Sequence, residues 1–172
     1  YMNRISNTGI VPVVKILEKE DAYPLAKALL NGGIDVIEVT YRSEHATSAI
    51  QTISEQLPDM LVGAGTVLSV EQAKEAVEAG AKFIITPGFN TKVVQWCLDH
   101  DVEVYPGVST ASEVEMALSM GLTQLKFFPA ESSGGAKKLK DLSAPYANVH
   151  FMPTGGINTK NMHDYLSLPN VE

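Results

Sequence analysis

The chain has 172 residues, of which 45% are hydrophobic and 19% charged, the proportions of an ordinary globular protein long enough for one domain with a substantial core. A net charge of -7 argues against nucleic acid and against a membrane surface as the main partner, because both attract basic patches. Cys97 is the only cysteine, which excludes a disulfide framework and favours a reducing, cytoplasmic setting.

Apolar segments of strand length alternate with amphipathic segments of helical length. The predicted strands are 10–16, 35–42, 61–67, 82–88, 103–109, 124–130 and 150–156. The predicted helices are 20–31, 44–57, 70–79, 91–100, 111–120, 136–142 and 159–166. Ser69 with Gln72, and Thr110 with Glu113, have the spacing of capping boxes. One strand and one helix per unit predict an α/β fold with parallel strands.

Two α/β architectures compete, an open doubly wound sheet and a closed barrel. No GxGxxG follows the first strand, and polar residues stand at the carboxyl ends of many strands, which favours the (β/α)8 TIM barrel. The sequence predicts a single domain over 1–172 with seven βα units. Because unpaired barrel edges are unfavourable, we expect an eighth strand to begin near Glu172 and to continue beyond it.

Lys126 lies in the apolar run 124–130, which reads as a buried strand. Lysine is almost never buried without a partner, and desolvation penalises its ammonium form. A lysine in this environment would be available as a neutral amine that condenses with a ketone to form a Schiff base. The alternative is a lysine at the strand end whose ammonium group reaches solvent.

Glu38, Thr40 and Arg42 share one face of the second predicted strand, because alternate strand residues point the same way. A carboxylate and a guanidinium on an inner face are costly unless they pair or bind something. One interpretation is a structural ion pair between Glu38 and Arg42. The functional one gives Glu38 proton transfer and gives Arg42 an anionic group of the substrate.

Thr154, Gly155 and Gly156 follow the last predicted strand and precede a predicted helix. Glycines there let backbone N–H groups approach a phosphate, and barrels often bind phosphate in this late loop. No metal site is predicted, because the four histidines fall in predicted helices or at a strand start and no HxH or HExxH spacing occurs. We expect no cofactor.

Six segments together resemble one family: IEVTYR at 37–42, VGAGTV at 62–67, TPG at 86–88, YPGVST at 105–110, KFFPAE at 126–131 and PTGGI at 153–157. It is the bacterial 2-keto-3-deoxy-6-phosphogluconate / 4-hydroxy-2-oxoglutarate aldolase family. The resemblance covers nearly the whole chain in the right order and spacing. It implies a metal-free, class I aldolase of the Entner-Doudoroff pathway on a (β/α)8 barrel, usually a homotrimer.

The resemblance also implies roles for individual residues. Lys126 would form the imine with the keto acid, and Glu38 would be the general acid/base. The substrate-binding residues would be Arg42, Thr66 and Pro87 near the carboxylate, Phe128 beside the imine, and Thr154, Gly155 and Gly156 near the phosphate. The family's short helix before the first strand and its later Gly-Gly-Ser turn are not expected in this sequence.

The expected reaction is cleavage of 2-keto-3-deoxy-6-phosphogluconate to pyruvate and glyceraldehyde 3-phosphate, with 4-hydroxy-2-oxoglutarate as a further substrate. Two alternatives are a phosphosugar epimerase or isomerase on the same barrel, which needs no imine, and a non-catalytic module that binds keto acids or phosphosugars.

Overall fold

The computed structural model describes residues 2–172, with side chains from residue 4 onward. The strands are β1 (Val13–Val14), β2 (Val36–Thr40), β3 (Leu61–Gly65), β4 (Phe83–Ile85), β5 (Glu103–Tyr105), β6 (Gly107–Val108), β7 (Gln124–Phe127) and β8 (His150–Pro153). The helices are α1 (Met2–Thr8), α2 (Ala22–Asn31), α3 (Ala46–Gln56), α4 (Val70–Glu78), α5 (Thr91–Asp99), α6 (Ala111–Ser119), α7 (Gly135–Ser143) and α8 (Met162–Leu166), and a 3-10 helix, Lys19–Asp21, precedes α2.

The first five strands form one sheet in the order β1-β2-β3-β4-β5. The pairs β1–β2, β2–β3 and β3–β4 are parallel, with Glu38 opposite both Val13 and Gly63, and Thr40 opposite Gly65. Every residue of β2 and β3 is buried. Burial on both faces is typical of parallel strands that are covered by helices.

The last three strands form a second parallel sheet in the order β6-β7-β8, in which Lys126 pairs with Gly107 on one side and Met152 on the other. The alternate residues of β7 enter a hydrophobic core, where the rings of Phe127 and Phe151 meet edge to face with their centroids 6.3 Å apart. This geometry is favourable for aromatic rings and fixes β7 against β8.

The chain forms two compact units. The first contains the chain up to Thr86 together with Asn90–Val104, and the second contains Pro87–Phe89 and Tyr105–Glu172. Each unit has its own buried hydrophobic residues, among them Ile37, Ile50 and Phe83 in the first unit and those at 125, 127 and 151 in the second.

All seven predicted strands occur at the predicted places, although each is shorter than predicted. The first, predicted over 10–16, contains only Val13–Val14 and stands at the end of its sheet, where fewer hydrogen bonds define it. The predicted strand 103–109 is divided at Pro106, which has no N–H to donate to a neighbouring strand. Its carbonyl group still accepts from the Lys126 amide at 3.0 Å.

The helix caps follow the sequence pattern. Thr110 begins α6 with a complete capping box, as predicted from Glu113. Ser69 accepts from the Gln72 amide at 3.2 Å, whereas the Gln72 side chain accepts from the amide of Leu68 and not from that of Ser69. At α4, the hydrogen bond accepted by the Ser69 hydroxyl is therefore the predicted one, whereas the hydrogen bond accepted by the Gln72 side chain comes from the residue before Ser69.

Two predictions about helices are wrong. The last helix begins at Met162 and not at residue 159, because Asn158 and Asn161 bond to nearby backbone groups in a turn that competes with helix. A helix does precede the first strand, α1, although none was expected. Arg4 of α1 contacts Asp35 at 2.7 Å between Nε and Oδ2, a long-range contact that docks this helix and that local sequence does not reveal.

Val171 forms a parallel bridge with Phe151 of β8, in the segment where the sequence analysis places the start of a further strand. Two backbone hydrogen bonds support the bridge, from the Phe151 amide to the Asn170 carbonyl at 2.8 Å and from the Glu172 amide to the Phe151 carbonyl at 3.0 Å.

Among the helices of the described residues, none has the length and apolar character required to cross a membrane.

Candidate active site

The predicted site residues fall into two groups, one in each compact unit. Glu38, Arg42 and Thr66 belong to the first unit, which also contains Thr40. The second unit contains Pro87, Lys126, Phe128, Thr154, Gly155 and Gly156. Within each unit these residues lie at or just after the carboxyl ends of parallel strands, as predicted, except Glu38, which lies in the middle of β2. Their roles in binding and catalysis are predictions.

Glu38 is buried in the middle of β2, with 1% of its surface exposed. Its carboxyl group occupies the space that a side chain at Gly65 of the neighbouring strand would fill. A Cβ atom at Gly65 would lie 1.8 Å from Glu38 Oε1 and 2.4 Å from the carboxyl carbon. The glycine is therefore required sterically, because it makes room for a carboxyl group inside a fully buried sheet.

Thr40 and Arg42 are joined by a hydrogen bond, as expected for residues two apart. The Arg42 Nε atom donates to Thr40 Oγ1 at 3.2 Å, and that hydroxyl donates to the carbonyl oxygen of Val14 at 2.8 Å. Thr40 is fully buried, whereas Arg42 lies after the end of β2 and is exposed. The base of the guanidinium is thus directed by a buried hydroxyl, and its outer nitrogens remain accessible to an anion.

Thr66 directly follows β3 and is half-buried. Its φ angle of 52° lies in the left-handed region, which is unfavourable for a β-branched residue. The residues on both sides are fixed by backbone hydrogen bonds, Gly65 through its carbonyl to the Tyr41 amide at 2.9 Å and Val67 through its amide to the Ile85 carbonyl at 3.3 Å. Strained residues held in this way occur often at functional sites.

Lys126 is buried on β7, with 4% of its surface exposed, which confirms the predicted buried strand and excludes the solvent-reaching alternative. Its Nζ atom lies 5.3 Å from the centroid of the half-buried Phe128 ring. A ring face at this distance attracts a cation. The amine therefore lies near the ring of the residue that directly follows β7.

Pro87 and Gly107 approach each other closely. A Cβ atom at Gly107 would lie 2.1 Å from the Pro87 carbonyl oxygen, so only glycine fits at the start of β6. Gly107 is also the partner of Lys126 in the sheet. The close approach places the half-buried Pro87 beside β6, the strand whose Gly107 pairs with Lys126.

Gly155 and Gly156 form a loop with φ angles of 105° and 79°, which residues with a side chain rarely adopt. Both of their carbonyl groups are engaged. The Gly155 carbonyl accepts from the Glu131 amide at 3.1 Å, and the Gly156 carbonyl accepts from the side chains of Asn158 and Asn161 at 3.3 and 3.1 Å. In the described part of the chain, the amides of the two glycines donate to no acceptor.

Thr154 connects this loop to β7. Its amide donates to the Phe127 carbonyl at 2.9 Å, and its carbonyl accepts from the Ala130 amide at 2.8 Å. The loop therefore begins as an extension of the sheet. Two successive backbone N–H groups without an acceptor in the described part of the chain are donors of the kind that bind anions.

Sequence reasoning missed Glu131 and Tyr165. The Tyr165 hydroxyl of α8 donates to Glu131 Oε1, and the carbon atoms of the Glu131 side chain pack against Gly156. Burial, together with the adjacent Glu131 carboxylate, raises the pKa of Tyr165 well above its usual range. A sequence signal existed for the neighbouring turn, since Asn158 and Asn161 have Asx spacing, but none linked residues 131 and 165.

The described residues contain no group of three or more His, Cys, Asp and Glu side chains able to hold a metal ion. Cys97 is buried on α5, and burial raises the pKa of its thiol to about 12. It has the properties of a small core residue and not those of a reactive thiolate.

The family model for KDPG and KHG aldolases, that is, aldolases of the two keto acids introduced above, matches residues 2–172. A 2-dehydro-3-deoxy-phosphogluconate aldolase of Treponema pallidum (strain Nichols) is 49% identical over 167 residues, 97% of this chain and 80% of that protein. The chain belongs to this aldolase family. The resemblance noted from the six sequence segments is thereby confirmed, and with it membership of a family of lyases.

Two solved structures of the family share the fold. The KDPG aldolase from Legionella pneumophila, with pyruvate captured at low pH as a covalent carbinolamine intermediate, gives a TM-score of 0.91 at 45% identity, covering 94% of this chain and 78% of that one. The enzyme from Zymomonas mobilis ZM4 with 3-phosphoglycerate gives 0.93 at 37% identity, covering 99% and 83%. These aldolases are of the TIM-barrel type, and their parallel strands and alternating helices confirm the predicted α/β fold class.

Proposed function

We propose that the chain cleaves 2-keto-3-deoxy-6-phosphogluconate reversibly to pyruvate and glyceraldehyde 3-phosphate through a Schiff base on Lys126. One observation carries the proposal: a lysine buried in the middle strand of a parallel sheet, in a member of an aldolase family. The carbinolamine of pyruvate in the Legionella pneumophila relative supports an amine as the attacking group.

The proposed chemistry begins at the Lys126 amine. Lys126 Nζ adds to the C2 carbonyl, and loss of water gives an iminium ion. Removal of the proton from the C4 hydroxyl breaks the C3–C4 bond, whose electron pair moves into the iminium as an enamine. Glyceraldehyde 3-phosphate leaves, C3 is protonated, and hydrolysis of the remaining imine releases pyruvate. The nitrogen is thus the electron sink, and the route requires no cofactor.

Glu38 is the proposed acid/base, and Arg42, Thr66 and Pro87 the proposed carboxylate-binding residues. A carboxyl group accommodated by a glycine in a buried sheet is held in one place, which general acid–base catalysis requires. Arg42 is oriented by Thr40 and presents its outer nitrogens to solvent, as binding of a carboxylate demands.

Phe128 is the proposed packing residue beside the imine, and Thr154, Gly155 and Gly156 the proposed phosphate loop. The support is the pair of amides without acceptors, together with the engaged carbonyls that would otherwise repel an anion. The Zymomonas mobilis relative is described with 3-phosphoglycerate, a phosphorylated three-carbon acid. The phosphate would add affinity that unphosphorylated 4-hydroxy-2-oxoglutarate, cleaved to pyruvate and glyoxylate, lacks.

A homotrimer in a cytoplasmic setting belongs to the same proposal. The family resemblance supports the trimer, and the single, buried cysteine supports a reducing compartment. Sedimentation equilibrium of the purified protein measures the assembly directly, and a monomer there would contradict the trimer.

The imine is tested by incubation with pyruvate and borohydride, followed by peptide mass spectrometry. We expect a reduced pyruvate adduct on Lys126 and a parallel loss of activity, because borohydride reduces an imine to a stable amine. Lys126→Arg should form no adduct and lose essentially all turnover. Lys92→Arg, at an exposed lysine of α5, is the matched control and should behave as the unaltered protein.

The same variants separate the alternatives. An epimerase or isomerase that uses Glu38 and the phosphate loop would keep activity in Lys126→Arg and would form no adduct. A binding module would retain substrate affinity with no turnover in any variant. Either result would refute the aldolase mechanism.

A further inference from the structure

Glu131 supports the Gly155–Gly156 loop in two ways. Its amide donates to the Gly155 carbonyl at 3.1 Å. Its side chain lies so close to Gly156 that a Cβ atom there would be 2.7 Å from Glu131 Cγ and 2.8 Å from Cβ. The loop therefore rests on this residue through a main-chain hydrogen bond and through van der Waals contact.

The carboxylate of Glu131 is held by Tyr165. The tyrosine is 2% exposed and packs in the hydrophobic core of the second unit with Leu139 and Phe151, so its hydroxyl has little freedom. That hydroxyl donates to Glu131 Oε1. A buried, well-packed tyrosine is a rigid donor and costs little conformational entropy to keep in place.

An unrestrained carboxylate at this position would interfere with the proposed phosphate loop. A carboxylate accepts hydrogen bonds from backbone N–H groups and carries the same sign of charge as phosphate. The free amides of Gly155 and Gly156 belong to the loop on which Glu131 packs, so Glu131 would be an intramolecular competitor for them. The bond to Tyr165 gives its Oε1 atom another donor.

We propose that the Glu131–Tyr165 hydrogen bond positions the Gly155–Gly156 loop, keeps the Glu131 carboxylate out of the anion site, and so favours phosphorylated over unphosphorylated substrates. Both residues are positioning residues and take no part in the chemistry. The inference rests on the proposed function of the loop. It adds the device that sets the preference between the two substrate classes.

The test measures kcat and KM of Tyr165→Phe on 2-keto-3-deoxy-6-phosphogluconate and on 4-hydroxy-2-oxoglutarate. Loss of a hydrogen bond to a charged group is expected to raise KM for the phosphorylated substrate about tenfold. Both constants for the unphosphorylated substrate should remain unchanged. Equal changes for the two substrates, or none, would overturn the proposal, because a merely structural role does not distinguish them.

A second variant tests the competition directly. Tyr165→Phe combined with Glu131→Gln keeps the packing against Gly156 but removes the charge, so KM for the phosphorylated substrate should return toward the original value. A higher KM for the phosphorylated substrate in the double variant than in Tyr165→Phe would overturn the proposal. Tyr146→Phe is the matched control, since its hydroxyl donates to Glu115 at 2.9 Å on another element, and it should change neither KM.

Binding of inorganic phosphate, measured by calorimetry, tests the inference without turnover. Glu131→Gln should bind phosphate at least as tightly as the original chain, and Tyr165→Phe more weakly; the opposite order would overturn the proposal. If the original chain cleaves neither substrate and Lys126 is not trapped, the proposed function fails, whereas the phosphate measurement still decides the role of this pair. Glu131→Gln keeps the side-chain volume, so its phosphate affinity alone decides the role of the pair if Tyr165→Phe does not fold.

Discussion

Gly65 contributes to the candidate site through the side chain that it lacks. Its place beside Glu38 leaves no volume for a methyl group, since Oε1 and the carboxyl carbon both lie within van der Waals distance of where a Cβ would stand. The carboxyl group cannot simply rotate into solvent, because Glu38 is buried in the centre of β2. The position of the proposed acid/base is thus determined on the neighbouring strand.

We therefore expect Gly65→Ala to displace the Glu38 carboxyl group. The overpacking should lower the free energy of unfolding by about 1–3 kcal/mol. The misplaced acid/base should reduce kcat about 100-fold or more, within the range that general acid–base catalysis contributes. Steady-state kinetics and denaturant unfolding measure the two effects.

Gly32→Ala is the matched control for this substitution. Gly32 has a φ of -84°, and a Cβ there would approach nothing closer than 3.4 Å, an ordinary contact. It should therefore leave kcat unchanged. Normal kcat in Gly65→Ala would show that Glu38 can move freely, and the proposed role of the glycine would be wrong.

At the scale of single elements, α6 has the best defined start in the second unit. Thr110 accepts from the Glu113 amide, and the Glu113 carboxylate accepts from the amides of Ser109 and Thr110 at 2.8 and 2.9 Å. Burial acts to raise the pKa of Glu113, but these hydrogen bonds outweigh it and hold the pKa below the ordinary value of 4.5. The charged form is therefore favoured in the folded state.

This cap predicts a pH dependence. A carboxyl group whose pKa is lowered by folding stabilises the folded protein at pH values above its ordinary pKa. That stabilisation is lost as the pH falls through the folded-state pKa. Thr110→Ala should cost about 1 kcal/mol at neutral pH. Glu113→Gln should lessen the fall of Tm on acidification below pH 4.5, measured by calorimetry. An unchanged acid profile in Glu113→Gln would contradict this.

The sequence predicted the type and order of the elements better than their ends. Alternation of apolar segments places all seven strands because burial on two faces leaves a strong signal, whereas the start of α8 depends on the hydrogen bonds of Asn158 and Asn161, which no periodicity records. The helix α1 was not predicted because it is supported by a contact between Arg4 and Asp35. Contacts between residues far apart in the sequence leave no local pattern.

The site itself was predicted where residue chemistry is unusual for its place. A lysine inside an apolar strand and a carboxylate on an inner face are conspicuous in any sequence, and both are buried in the structure. Glu131 and Tyr165 are not conspicuous, because an acid after a strand and a tyrosine in a helix are ordinary. Only the fold shows that they meet.

At the scale of the whole molecule, Cys97 offers a measure of opening. The thiol is completely buried and its pKa is raised to about 12, so at mildly alkaline pH it is protonated and inaccessible. We expect a thiol reagent to label it only as fast as the protein unfolds, with a rate that rises in parallel with denaturant unfolding. The chain fully unfolded in denaturant, labelled at once, is the control. Rapid labelling of the folded protein would show local opening of α5.

The hydroxyl of Thr40 has a consequence for the effect of substitutions in this protein. Because Arg42 Nε can only donate, the hydroxyl proton of Thr40 must point at the carbonyl oxygen of Val14. A main-chain atom of β1 therefore orients the Arg42 side chain through Thr40. Replacement of the side chain at position 40 removes the hydroxyl, whereas replacement at position 14 leaves the carbonyl acceptor in place. The first strand contributes there through a backbone carbonyl, which every amino acid possesses, so side-chain substitutions at position 14 should leave this hydrogen bond in place.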